Sequence, residues 1–123
     1  RPLNTLSGGQ RQRAWIALVL AQDTPYLLLD EPTTWLDLRH QLEVLALLRE
    51  RNRRDGTTVI TVLHDLNLAA RYSDHLVLLG PDGLVATGTP DAVLSEENLT
   101  RAFGLNALVT PDPVTGTPMV VPR

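Results

Sequence analysis

Two short apolar runs, Tyr26–Leu29 and Thr57–Leu63, stand on either side of an amphipathic stretch, Leu38–Arg54, and this arrangement limits the available folds more than any other feature. Tyr26-Leu27-Leu28-Leu29 is continuous and closes on Asp30-Glu31-Pro32, as a buried parallel strand would. Thr57–Leu63 is β-branched and apolar, which predicts a second buried strand. Between them Leu42, Leu45, Ala46 and Leu48 recur among charged residues, so a helix is expected from Leu38 to Arg54, ending near Gly56. Leu66–Tyr72 predicts a short helix. His75–Leu79 and Leu84–Thr87 predict a hairpin about Gly80-Pro81-Asp82-Gly83. Thr89-Pro90 opens a helix through Leu94 with Pro at its first position, and Glu96–Phe103 makes another. The segment Leu108–Val121, interrupted by Pro111, Pro113 and Pro118, reads as two short edge strands. Near the start, Gln10–Ala21 reads as a helix entered through Ser7-Gly8-Gly9. Strands alternating with helices and followed by a hairpin point to an α/β sheet.

Composition narrows the chemistry. A chain of 123 residues suffices for one modest core. Its 43% apolar and 20% charged residues are ordinary for a globular domain. A net charge of −3 supplies no global attraction to nucleic acid. With no cysteine, disulfides and thiolate metal sites are excluded. All 11 basic residues are arginine, so the chain cannot contain GxxxxGK[ST], the lysine-bearing phosphate loop. No apolar run is long enough to span a bilayer, and no secretory signal opens the chain. Arg1 is not an initiator residue, so the sequence is expected to start inside a longer gene.

The chemistry-bearing residues lie in the first half. In Leu6-Ser7-Gly8-Gly9-Gln10, paired glycines let backbone N–H groups approach a phosphate, and the positive end of the following helix favours the anion. The Ser7 hydroxyl can donate to the same phosphate. A structural alternative is a plain helix cap. Asp30 closes the first apolar run, at the carboxyl end of a strand, where α/β sheets bind ligands. It can hold Mg²⁺, largely through water. Glu31, next in the chain, can polarise a water for attack on a phosphate; the alternative is a solvated pair of acids. Asp37, in Thr34-Trp35-Leu36-Asp37, can cap the helix that follows it. His64 stands at the end of the second strand, in Val62-Leu63-His64-Asp65-Leu66. His40 and His75 have no comparable context.

These four stretches resemble, in order, the signature motif, Walker B strand, D-loop and switch histidine of ABC ATPases. The match at Trp35 departs from the family's usual small residue, so the D-loop resemblance rests on Leu36-Asp37. The resemblance implies the C-terminal part of a RecA-like P-loop NTPase core, with a parallel sheet and the end of the helical subdomain. Residues 1–123 would then form a partial ABC ATPase domain, from signature motif to C-terminus, with P-loop and glutamine loop missing. It also implies a head-to-tail dimer with a second ATPase subunit. There Ser7, Gly8, Gly9 and Gln10 would bind the partner's ATP, and Asp37 would couple the two sites. Asp30 as Mg²⁺ ligand, with Glu31 and His64 as catalytic residues, would serve the ATP of their own subunit.

The run Pro32–Gln41, the stretch His64–Tyr72 and the tail Pro111–Pro118 resemble ATPase subunits of iron–siderophore, haem and cobalamin importers, the tail favouring the first. An integral-membrane permease, a substrate-binding protein reached only through it, and a peripheral place on the cytoplasmic face of the cell membrane are implied. Nucleic acid is not expected as a partner. The alternative is a non-catalytic module that donates its signature motif to an intact partner, since a chain without a P-loop is expected to be inactive alone.

Overall fold

The computed structural model describes residues 25–31 and 36–123. The expected helix at Gln10–Ala21 and the motif residues Ser7, Gly8, Gly9 and Gln10 lie outside them. The chain divides into two compact units, Arg1–His64 and Asp65–Arg123. Its length alone suggested one core; instead each unit gathers its own apolar cluster.

In the first unit, β1 (Tyr26–Asp30) and β2 (Thr58–Val62) pair in parallel, with Leu27 opposite Val59 and Asp30 opposite Val62. Parallel neighbours cannot be joined by a tight turn. Helix α1 (Leu38–Asp55) makes the crossover. Asp37 caps it by accepting from the His40 N–H, and Gly56, at φ 69°, ends it with an N–H to the Asn52 carbonyl. That left-handed conformation costs glycine little and other residues more.

Val44, Leu45 and Leu48 carry the buried stripe of α1, and Leu27 and Leu29 that of β1. The strand was expected to be buried on both faces. Among the described residues only one face of the pair is covered, and Leu28 and Ile60 are exposed. The period-two alternation of a strand sends these residues to the face opposite Leu27 and Leu29. Buried Arg51 bonds through Nε to the hydroxyl of Thr57 (3.1 Å), and the Asn52 amide reaches the Thr57 carbonyl (2.7 Å). Together they clasp the turn from α1 into β2.

The second unit comprises α2 (Leu66–Tyr72), the hairpin β3 (Leu76–Gly80) and β4 (Gly83–Gly88), α3 (Pro90–Val93), α4 (Glu96–Phe103), and the hairpin β5 (Ala107–Pro111) and β6 (Pro118–Pro122). Both hairpins are antiparallel, as expected. Asp65, Thr89 and Ser95 cap the three helices. Ala70, Leu78, Val93, Leu94, Leu99, Ala102, Ala107 and Val120 form the core. Gly80 lies so close to α4 that an added Cβ would stand 3.2 Å from the Ala102 Cα and 2.9 Å from a Val85 methyl.

Helix α2 is tied to the second hairpin by polar side chains. The Asn67 amide both donates to and accepts from the backbone of Val120 (3.3 and 2.7 Å). Arg71 forks onto Asp112, with Nε on Oδ2 (2.8 Å) and Nη2 on Oδ1 (3.0 Å). Asp112 is buried, and its Oδ1 also accepts from the N–H groups of Val114 and Thr115. A buried carboxylate is tolerated only with its accepting capacity used in this way. No helix among the described residues is long and apolar enough to cross a membrane.

The Arg71 guanidinium, and then the Val114 N–H, hold the Asp112 carboxyl below its ordinary value of 3.8, against the opposing effect of burial. The ionised form is thus favoured in the folded state. Its contribution is present above about pH 4 and is lost as the pH falls through the depressed value. Asp112→Asn should lower the melting temperature at pH 7, and the gap from the parent should shrink as the pH falls below the ordinary carboxyl value. Thermal melts across that range would check this, and a gap constant with pH would contradict it.

Candidate functional site

Glu31 and His64 meet at the carboxyl ends of the two parallel strands, with Asp30 preceding Glu31 in the chain. Asp30 ends β1 and is exposed. Glu31 follows it in the left-handed region, at φ 51°. A residue with a Cβ pays about 1 kcal/mol or more for that conformation. The Glu31 N–H nevertheless keeps the ladder by donating to the Val62 carbonyl (3.0 Å). The backbone thus turns while still anchored to β2.

His64 follows β2 by one intervening residue, and its Nε2 is hydrogen-bonded to Oε1 of Glu31. A carboxylate only accepts, so Nε2 must carry the proton. The His64 side chain is 76% exposed and that of Glu31 37%. The strand ends therefore present an acid and an imidazole, 33 positions apart in the chain, at an open surface.

Asp37 occupies the loop before α1. Its Oδ1 accepts from the His40 N–H (2.9 Å) and lies 2.9 Å from Nδ1 of the His40 ring. The capping role read from sequence is therefore present. The ring contact was not anticipated: His40 offered no signal beyond its place three residues after an Asp. His75 bonds to the Thr87 hydroxyl across its own hairpin (2.8 Å), away from the other candidates in sequence and register.

As a donor set, Asp30 is a single exposed carboxylate beside a second acid, and no cluster of three or more His, Cys, Asp or Glu exists among the described residues. One or two carboxylates suit a cation that keeps most of its water, as Mg²⁺ does.

The model describing ABC transporters matches residues 1–34. The chain is 56% identical over 120 residues to the ferric enterobactin transport ATP-binding protein FepC of Escherichia coli, covering 98% of the chain and 44% of that protein. It is 52% identical over 123 residues to the hemin import ATP-binding protein HmuV of Rhodococcus jostii, covering all of the chain and 42% of that protein. Among solved structures, a putative metal-chelate type ABC transporter in an inward-facing conformation superposes with TM-score 0.85 at 32% identity, over 98% of this chain and 48% of that one. A bacterial ABC transporter cassette solved as a dimer gives TM-score 0.66 at 37% identity, over 72% and 38%.

Along almost its whole length the chain is similar to ATP-binding proteins of ABC transporters, and its α/β fold matches part of an ABC transporter structure. Relatives at 51–56% identity carry names for siderophore and hemin import. The chain spans less than half the length of the curated relatives it matches.

Asp37→Ala should cost about 1 kcal/mol of stability by removing the cap of α1, and Asp37→Asn should retain most of it. Urea denaturation of the three proteins would measure this; equal midpoints for Ala and Asp would deny the cap its role.

Proposed function

We propose that the chain is the C-terminal part of an ATP-binding and hydrolysing subunit of an importer for an iron–siderophore complex. The observation that carries this reading is the juxtaposition of Glu31 and His64 at the carboxyl ends of parallel strands, with Asp30 adjacent. Glu31 accepts the proton of the attacking water, its carboxylate aimed by the turned backbone. His64 holds that carboxylate in place beside the reacting phosphate. Asp30 is the residue that would hold Mg²⁺, which, when bound, neutralises phosphate charge. Water positioning and charge stabilisation, with no covalent intermediate, are what phosphoryl transfer requires of a protein.

Ser7, Gly8, Gly9 and Gln10 are assigned to the ATP of a second subunit in a head-to-tail dimer, and Asp37 to coupling between the two sites. The lysine-free chain cannot supply a P-loop, so in this reading the P-loop belongs to sequence other than these 123 residues, and the chain works as the C-terminal part of one ABC ATPase domain. An integral permease would hold the subunit at the cytoplasmic face of the membrane, with a substrate-binding protein reached only through it. The dimeric cassette and the importer names of the relatives support the second subunit and the permease. The absent lysine also favours a second reading, a non-catalytic module that lends Ser7–Gln10 to an intact partner.

In the complete subunit assembled with its permease, Glu31→Gln should bind ATP yet lose about a hundredfold or more of its hydrolysis rate. His64→Ala should lose hydrolysis to a similar degree, and Gly9→Glu should block ATP-driven closure while sparing the fold. Phosphate release from ATP is the measurement for the first two. Normal turnover of Glu31→Gln would remove it as the base, and an unchanged His64→Ala rate would leave His64 a structural residue. Transport at the parental rate by Gly9→Glu would refute the signature assignment.

A further inference from the structure

The chain holds two Asp-Gly pairs, Asp55-Gly56 at the end of α1 and Asp82-Gly83 where the β3–β4 hairpin turns. In such a pair the glycine nitrogen can attack the preceding side chain, because no Cβ stands in the path. Neither glycine is crowded: nothing lies within 4 Å of a Cβ built on either one. The two pairs differ in what holds the aspartate.

Asp55 is clamped. Its carboxylate accepts from Nε and Nη2 of Arg54 (both 3.2 Å) and lies 3.2 Å from Nε of Arg51. The N–H of Gly56 is committed to the Asn52 carbonyl (2.9 Å). The hydrogen bonds from Arg54 also keep the Asp55 carboxyl below its ordinary value, in the ionised form that resists a nucleophile. Asp82 is exposed in a two-residue turn with Pro81, and its carboxylate meets no donor among the described residues. Gly83, at φ 116°, pairs with Gly80 as the last rung of the ladder, and terminal rungs open most easily.

We propose that Asp82 is a site of spontaneous isoaspartate formation, and through it a methyl acceptor for a protein-carboxyl methyltransferase. The Gly83 nitrogen bonds to Cγ of Asp82 and closes a five-membered imide. The carboxyl hydroxyl leaves as water with the proton of that nitrogen. A second water then opens the ring. Cleavage of the new bond restores aspartate; cleavage of the original peptide bond leaves the chain running through Cβ, with a free α-carboxylate. Nothing is oxidised, and one water is released for each taken up. The α-carboxylate is the group that a methyltransferase using S-adenosylmethionine would esterify. The extra methylene in the main chain lengthens the turn and displaces the rung between Gly80 and Gly83 first.

The test is prolonged incubation of the complete subunit at neutral pH. Labelled methyl transfer by a purified isoaspartyl methyltransferase follows, with mass spectrometry to place the linkage. Label should accumulate at Asp82 at about tenfold the level at Asp55, where a backbone bond and an ion pair must break first. In guanidinium chloride, which removes the clamp, the two sites should label alike. Asp82→Glu keeps the charge but must close a six-membered ring, so label at that position should vanish. No isoaspartate at Asp82, equal yields at the two sites in the folded subunit, or a tenfold preference that persists in denaturant would each overturn the proposal. So would undiminished label in Asp82→Glu.

Discussion

The parallel pairing of β1 with β2 is the constraint on which the candidate site depends. Asp30 stands opposite Val62, and the Glu31 N–H bonds the Val62 carbonyl. That register is what brings His64 within reach of Glu31. A slip of one residue would turn Leu27 and Leu29 out of the core and move the histidine relative to the acid. Burial of two leucines and the placing of the Glu31–His64 pair are thus decided by the same ladder. Helix α1 enforces it, since a crossover of this length permits parallel pairing where a tight turn could not.

The strained backbone at Glu31 belongs to the same arrangement. A strand that ran straight on would keep alternating its side chains above and below the sheet. The left-handed turn at Glu31 breaks the alternation after Asp30, while the bond to Val62 prevents the strand end from fraying. Two successive acids can then serve different purposes, one at the strand terminus and one beside the imidazole. The conformational cost is met by anchoring on both sides, through Val62 and through His64.

Much of this was legible in the residues. Leu66–Tyr72 and Glu96–Phe103 match the helices residue for residue, because an Asp or Ser cap and a change of pattern mark each boundary. The β3–β4 hairpin starts one residue later than periodicity suggested, where His75 bonds Thr87 instead of joining the ladder. The two-sided burial expected of β1 was not found among the described residues. A continuous apolar run cannot itself report which face is covered, and Leu28 is 73% exposed. The order of Asp30, Glu31 and His64 could be read, but the contact of Glu31 with His64 depends on register, which no single motif contains. The Arg71–Asp112 fork and the His40–Asp37 contact were both silent in sequence, since each pairs common surface residues through geometry alone.

Two kinds of polar contact are present, and the difference follows from burial: buried Arg51 and Thr57 clasp a turn in the first unit. In the second unit Asp112 is enclosed and spends its acceptors on Arg71, Val114 and Thr115, so it is a fastening between α2 and the hairpin. In the first unit Asp30, Asp37 and His64 are exposed, where ion pairs contribute little to stability. Asp37 still contributes a cap to α1, whereas the exposed Glu31–His64 contact adds little to holding the fold. That contrast separates the residues that bind the chain together from the pair to which the proposed function assigns chemistry.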